Sequence, residues 1–219
     1  MEPKKITLTF DNGPDPEVTP FVLDTLARHD IKATFFVIGE KLRDSARRRL
    51  CERAHAEGHW IGNHTFNHLT PLGLSRYRNT HLLEIARTQD LIGALAHPSK
   101  LFRPFGGGGH LNSSLLNTHC LDYLVKEKFT CVLWNSVPRD WENPEGWVDE
   151  AVRQYRNEFW PLVVLHDLQT EAMSQLDVYI SRMKDEGATF VQDFPPDQVP
   201  IRDGNIVLPI DNYVTQSPS

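Results

Sequence analysis

The chain has 219 residues, of which 40% are hydrophobic and 24% are charged, a composition typical of a globular protein that can bury a full core. Its formal net charge is −6 and its longest basic run is Arg47–Arg49, so we expect no nucleic-acid partner. No apolar run reaches the ~20 residues that cross a bilayer, so we expect no membrane partner. Residues 1–5 lead directly into a strand and contain no signal peptide, which predicts a cytoplasmic protein unless a secreted one has been trimmed. The oligomeric state is not indicated.

Hydrophobic periodicity and turn residues divide the chain into alternating strands and helices. Thr19 is predicted to cap the first helix, Gly58 to close the second and Asn112 to cap the fourth. The predicted strands cover 6–10, 32–38, 59–62, 101–103, 129–135, 162–165 and 188–191. The predicted helices cover 19–29, 40–57, 75–97, 112–128, 145–159 and 171–186, and the third is expected to align Tyr77, Leu82, Ile85, Ile92 and Leu95 along one side.

This alternation predicts one α/β domain over residues 1–219, with a core over 6–192 and an irregular C-terminal tail over 195–219. Parallel strands covered by helices form either an open doubly wound sheet or a closed (β/α) barrel. Both architectures place ligands at the carboxyl ends of the strands.

Polar residues of the kinds used in catalysis stand at those ends. Because the carboxyl ends of parallel strands meet at one rim, we expect these side chains to lie close together. In chain order they are Asp11, Asn12, His64, His68, Arg103, Asp140, Trp141, His166 and Asp167.

His64 and His68 have the i,i+4 spacing that puts two imidazoles on one face of a helical turn, where they could share a metal ion. With an oxygen ligand from the end of the first strand, the set would be that of a catalytic metal site with open positions. Asp11 is then the nearest base, Arg103 could keep it ionised, and His166 could protonate a leaving amine. Taken singly, Arg103 could equally be a surface residue and His166 a core histidine.

Five short motifs stand in order along the chain: Thr9–Pro14 (TFDNGP), His64–His68 (HTFNH), Arg103–Gly106 (RPFG), Arg139–Trp141 (RDW) and Leu165–Asp167 (LHD). Together they resemble the motifs of the polysaccharide deacetylases that share the nodulation-factor deacetylase homology domain, carbohydrate esterase family 4. The resemblance covers residues 6 to about 192 and includes the characteristic stretch Ala33–Gly39.

The resemblance implies a distorted (β/α)7 barrel that removes N-acetyl groups from an amino-sugar polymer or oligosaccharide, such as chitin or peptidoglycan, with one divalent metal ion. Zn²⁺ is the first expectation, and a site without thiolates also accommodates Co²⁺, Ni²⁺ or Mn²⁺. The implied roles are Asp11 as base, His166 as acid, Arg103 and Asp140 as their charged partners, Asn12, His64 and His68 as metal ligands, the Phe105 N–H as oxyanion donor, and Trp141 and Leu165 as walls of the acetyl pocket.

Two positions depart from the family pattern. Asn12 stands where the family usually has an aspartate ligand, although some relatives carry the same exchange, and Val137–Pro138 stands where the fourth motif usually begins with another aspartate. Two other functions stay open. The missing export signal favours the same barrel acting on a small non-sugar amide, such as a ureide or a formamide, because cell-wall glycans lie outside the membrane. Asn12 leaves open a catalytically silent sugar-binding barrel.

Overall fold

The structure, a computed structural model, describes residues 3–215. In that range the strands are β1 (Lys5–Asp11), β2 (Thr34–Val37), β3 (Trp60–Asn63), β4 (Leu101–Phe102), β5 (Leu116–Asn117), β6 (Thr130–Cys131), β7 (Leu162–His166), β8 (Thr189–Val191), β9 (Ile201–Arg202), β10 (Asn205–Ile206) and β11 (Val214–Thr215). The α-helices are α1 (Val18–His29), α2 (Ser45–Ala56), α3 (Arg87–Ile92), α4 (Thr118–Lys126), α5 (Trp147–Asn157) and α6 (Leu176–Asp185). None of these helices is long and apolar enough to cross a membrane.

The main sheet is parallel except for its C-terminal strands β9 and β10, and it closes on itself. Its strands run in the order β6-β4-β3-β2-β1-β7, and β8 pairs with the start of β1. Closure comes from a parallel bridge between Ser136, which follows β6, and Val163 of β7. The seven predicted strands therefore form a distorted barrel, and the predicted architecture is confirmed.

The central strand β1 shows how the sequence alternation builds this barrel. Ile6, Leu8 and Phe10 are fully buried among the side chains of the surrounding helices. Such burial contributes about 1.5–3 kcal/mol for each large apolar side chain. Thr9 and Asp11 alternate with them and both receive a hydrogen bond from the guanidinium of Arg103. One face of β1 therefore holds the helices, and the other carries polar groups towards the rim.

Two predicted helix caps are wrong. The Asp15 side chain, not Thr19, accepts the N–H groups of Glu17 and Val18 that open α1. Asn112 makes a local turn with Ser114, whereas Asn117 caps α4 by accepting the Cys120 N–H at 2.9 Å. In both places a neighbouring polar residue competes for the same N–H groups, and the tertiary packing selects between them.

Two predicted helices are interrupted. A 3-10 turn over Gly39–Arg43 precedes α2, and the N-cap Asp44 separates the two. The predicted helix 75–97 begins only at the π-helical turn His81–Ala86, which continues into α3. Tyr77 is 71% exposed and Leu82 is 50% exposed, so neither lies on a buried helical side.

The C-terminal tail is more regular than expected. Strand β9 pairs antiparallel with β6 through Cys131 and Ile201, and β10 pairs antiparallel with β9. Strand β11 pairs with β5. The described part of the tail thus extends the edge of the sheet, while residues 216–219 of the prediction lie outside the described residues.

Candidate active site

The predicted catalytic residues meet at the carboxyl ends of the barrel strands. Asp11 and His166, the last residues of β1 and β7, are direct partners in the parallel register. His64 follows β3 and Arg103 follows β4. The same rim is completed by the loop that follows β6, which carries Asp140.

Asp11 is a buried carboxylate held by Arg103. Its Oδ1 accepts a hydrogen bond of 2.9 Å from Arg103 Nη1, and the side chains of Asp11 and Arg103 are 5% and 0% exposed. Arg103 also donates to Thr9 Oγ1 and to the carbonyls of Val132 and Leu133, so each of its three guanidinium nitrogens has a hydrogen-bond partner. Burial lowers the pKa of Arg103 below its ordinary value, and the attraction of Asp11 offsets only part of this effect. This ion pair fixes the orientation of the Asp11 carboxylate and leaves its second oxygen, Oδ2, without a bond to Arg103.

That second oxygen faces the two histidines of the second motif. His64 Nε2 lies 3.6 Å from Asp11 Oδ2 and 3.1 Å from His68 Nε2. The His64 Nδ1–H donates to the Arg103 carbonyl at 2.9 Å, because a carbonyl can only accept, so the Nε2 lone pair points into the site. Burial lowers the pKa of His64 to about 3. The pKa of His68 is also lowered to about 3, by burial and by the neighbouring His64. Both imidazoles are therefore neutral at pH 7, the form in which histidine ligates metals.

The segment 64–68 is a loop and not the helical turn expected from the i,i+4 spacing. Thr65 and His68 have φ angles of 67° and 54°, which are left-handed values. Asn63 Oδ1 accepts the Thr65 N–H, and the Glu84 carboxylate accepts the N–H groups of Phe66 and Asn67. Sequence reasoning missed Glu84, which comes from the π-helical turn, a feature often found at functional sites.

Three observations support a cation site formed by His64, His68 and Asn12. Ligands at about 2.0–2.1 Å from one metal lie roughly 3 Å from each other, which matches the separation of the two histidine nitrogens. The Asn12 Oδ1 atom is buried and makes no hydrogen bond to any residue within 3–215. Asn12 lines the same cavity as both histidines. In the described part of the chain, no group of three His, Cys, Asp or Glu side chains could hold a metal, and the oxygen that Asn12 adds beside the two histidines is that of an amide.

His166 and Asp140 form the opposite side of the site. Asp140 is fully buried, and its two oxygens accept hydrogen bonds from His166 Nδ1–H at 2.8 Å and from the His166 backbone N–H at 2.9 Å. Burial alone would lower the pKa of His166, but the attraction of Asp140 and its hydrogen bond, helped by Asp11 and Asp167, raise that pKa above its ordinary value. His166 therefore stays protonated at pH values at which His64 is already neutral.

The loop after β1 is anchored by a second buried carboxyl. Asp167 accepts a hydrogen bond from Thr19 Oγ1, which itself accepts the Asp15 N–H at 2.7 Å. A Cβ on Gly13 would lie 2.1 Å from Asp167 Oδ2, so only glycine allows this approach. Burial raises the pKa of Asp167 to about 7.

Asp11, Asn12, His64, His68 and His166 line a cavity of about 220 Å³. The Phe105 ring lies 3.9 Å from that of His68, and the Trp141 ring packs edge-on to His166 at 4.7 Å. Within the described range no carbonyl accepts the Phe105 N–H. Leu165 was wrongly predicted to line this cavity: strand alternation turns it outward into the helix-facing core, and Val164 takes its place.

Sequence reasoning also missed Trp134 and three glycines of one run, Gly106, Gly108 and Gly109, as cavity walls. Trp134 Nε1–H donates to the Gly109 carbonyl at 2.9 Å, and a Cβ on Gly106 would lie 2.6 Å from the Trp134 ring. An aromatic residue at a strand end and a glycine run are too common in sequences to indicate a cavity alone.

Comparison with known proteins identifies the family of this chain. The sequence pattern of the family described as polysaccharide deacetylase matches residues 1–123. A peptidoglycan-N-acetylglucosamine deacetylase of Bacillus cereus is 34% identical over 196 residues, covering 86% of this chain and 85% of that protein. A chitooligosaccharide deacetylase of Rhizobium leguminosarum bv. phaseoli is 34% identical over 165 residues, covering 73% of this chain and 66% of that protein. A second B. cereus protein carries the same name as the first, and this chain covers 66% of its length.

Among solved structures, the fold is similar to that of a family 4 acetyl xylan esterase from Clostridium thermocellum in complex with a cobalt ion. The two are 27% identical with a TM-score of 0.69, over 86% of this chain and 88% of that one. The family predicted from the five motifs, the barrel and the hydrolase class are confirmed by these matches. The family pattern matches more than half of the chain, and the B. cereus enzyme is 34% identical over most of both proteins. The chain therefore belongs to the polysaccharide deacetylase family.

Proposed function

We propose that this protein hydrolyses the N-acetyl group of N-acetylglucosamine units in a carbohydrate, using one divalent metal ion, with Zn²⁺ as the first candidate. The observation that carries the proposal is the convergence of His64 Nε2, His68 Nε2 and Asp11 Oδ2 opposite the His166–Asp140 pair. The similar enzymes named for peptidoglycan and chitooligosaccharides support the sugar.

His64, His68 and Asn12 would hold the metal, which when bound polarises the acetyl carbonyl and lowers the pKa of water. Asp11 removes the proton of the attacking water through Oδ2, because Oδ1 is occupied by Arg103. The Phe105 N–H, which no carbonyl accepts within residues 3–215, stabilises the developing oxyanion. His166 donates its Nε2 proton to the departing amine while Asp140 holds Nδ1.

The test is acetate release from chito-oligosaccharides by purified protein, with ureides and formamides as comparison substrates and metal content measured on the same sample. We expect acetate from the sugar, loss of turnover after chelation, and recovery on adding Zn²⁺. Turnover of the small amides alone would contradict the sugar assignment. Sugar binding without metal or turnover would identify a silent barrel.

The acid role of His166 is tested by changing the leaving group. His166→Ala should lower turnover of an acetamido sugar by about 10²–10⁴-fold, the usual contribution of general acid catalysis. An activated aryl acetate ester should lose less, because its leaving group departs without a proton. Equal losses on both substrates would contradict this role.

A further inference from the structure

The loop that carries both histidines depends on support from outside its own sequence. Thr65 and His68 have left-handed φ angles of 67° and 54°, a conformation that residues with a side chain rarely adopt. The His64 ring is fixed directly, because its Nδ1–H donates to the Arg103 carbonyl. The His68 ring, in contrast, has no hydrogen bond to another residue within 3–215 apart from its contact with His64. The position of the His68 ring therefore depends on the backbone of this loop and on packing against Phe105.

Glu84 supplies support at the centre of the loop. Its carboxylate oxygen Oε2 accepts the Phe66 N–H at 2.8 Å and the Asn67 N–H at 3.1 Å. Hydrogen bonds to an ionised acceptor are roughly twice as strong as those between neutral groups. The half-buried Glu84 side chain thus holds the two residues that lie between the left-handed Thr65 and His68.

The π-helical turn His81–Ala86, which contains Glu84, makes a second connection to the same loop. Asn63 Nδ2 donates to the Ile85 carbonyl at 2.9 Å, and Asn63 Oδ1 accepts the Thr65 N–H at 3.1 Å. Asn63 therefore ties the loop to the turn from which the Glu84 side chain projects. Single π-helical turns are rare and are frequently found at functional sites.

The carbonyls of the loop are held separately. The N–H groups of Gly39 and Glu40 donate to the carbonyls of Thr65 and Phe66 at 3.0 and 2.9 Å. Because these bonds use carbonyls only, they cannot replace the bonds that the Glu84 carboxylate accepts. Loss of that carboxylate would deprive two loop N–H groups of their acceptor and release the segment next to His68.

We propose that Glu84 is a positioning residue of the metal site. By accepting the Phe66 and Asn67 N–H groups, it keeps His68 Nε2 at the 3.1 Å from His64 Nε2 that suits one shared cation. Glu84 does not line the catalytic cavity, so it acts through the loop and not on the substrate. This inference rests on the proposed function for the metal ion, and it goes beyond that function by assigning a residue outside the cavity.

Two substitutions separate the reach of Glu84 from its charge. Glu84→Gln keeps the side-chain length and an oxygen that can accept both N–H groups, but it removes the charge. Glu84→Asp keeps the charge, but it is shorter by one methylene and withdraws the carboxylate from the loop. Zn²⁺ affinity, measured by calorimetric titration of the metal-free protein, should fall ~10–100-fold in Glu84→Asp, the usual effect of losing an outer partner of a metal site. Glu84→Gln should bind Zn²⁺ at least ~fivefold more tightly than Glu84→Asp, the gain expected from about one recovered hydrogen bond.

A spectrum and a control variant accompany these titrations. The visible absorption of the Co²⁺-loaded protein reports the geometry of the ligands, so Glu84→Gln should keep the wild-type bands and Glu84→Asp should change them. Asp90→Ala is the control, because Asp90 is an exposed acid of α3 that makes no hydrogen bond to the loop within 3–215. Asp90→Ala should bind Zn²⁺ like the wild type, and a loss equal to that of Glu84→Asp would assign the effect to net charge and overturn the inference.

Amide hydrogen exchange tests the same bonds without a substitution. In the metal-free wild type, the Phe66 and Asn67 N–H groups should exchange slowly because Glu84 holds them. Rapid exchange at both would overturn the inference, as would wild-type Zn²⁺ affinity in Glu84→Asp, or Zn²⁺ binding by Glu84→Asp as tight as or tighter than by Glu84→Gln. A wild type that binds Zn²⁺ but releases no acetate from chito-oligosaccharides overturns the proposed function instead, so the two failures are distinguishable.

Discussion

His64 and His166 lie in the same cavity, and each directs its Nδ1–H to an oxygen, yet their protonation differs. The partner of His64 is the neutral Arg103 carbonyl, and burial lowers the pKa of His64 to about 3. The partner of His166 is the Asp140 carboxylate, and the pKa of His166 is raised despite burial. The group that accepts the Nδ1–H hydrogen bond thus determines whether the imidazole is neutral and suited to bind a metal, or protonated and suited to donate a proton.

The largest effect is expected on the ligand side of this comparison. His64→Ala should weaken metal binding by more than the ~10–100-fold that follows loss of a hydrogen-bond partner of a ligating histidine. Turnover should disappear with the metal. Metal content and activity are measured together, with the exposed His55→Ala as the matched control. Full metal binding in His64→Ala would remove His64 from the ligand set.

Asp11→Asn separates the base from the ligands. The amide oxygen can still accept from Arg103, so we expect the bound metal to be retained while turnover falls by about 10²–10⁴-fold. Metal analysis and acetate release are the measurements, and an unchanged melting temperature would verify the fold. If metal and activity are lost together, Asp11 is a ligand.

Asp140→Asn should lower the pKa of His166 towards that of His64. The acid acts while His166 is protonated, so activity is lost as the pH rises through the pKa of His166. Because Asp140 raises that pKa, its neutralisation should move the alkaline limb of the pH–rate profile to lower pH by about 1–3 units. A profile with the limb in its wild-type position would show that Asp140 does not set the protonation of His166.

The smallest effect is expected from Asn12→Asp, which adds a charge to the ligand side. A carboxylate about 4 Å or less from the cation adds at least about 1 kcal/mol of attraction per unit charge, so metal should bind at least roughly fivefold more tightly. Calorimetric titration of the metal-free protein measures the affinity. An unchanged affinity would place Asn12 outside the ligand set and leave its buried Oδ1 without this explanation.

The sequence by itself determined the alternation of strands and helices, the rim on which the polar residues meet, and the family, because period-2 and helical patterns and ordered motifs are local properties. Only the tertiary structure decided the loop conformation of 64–68, since Glu84 and Asn63 approach it from outside that segment. It also decided that Val164 and not Leu165 faces the cavity. These features depend on which distant groups compete for each N–H and each face, and such competition exists only once the chain has folded.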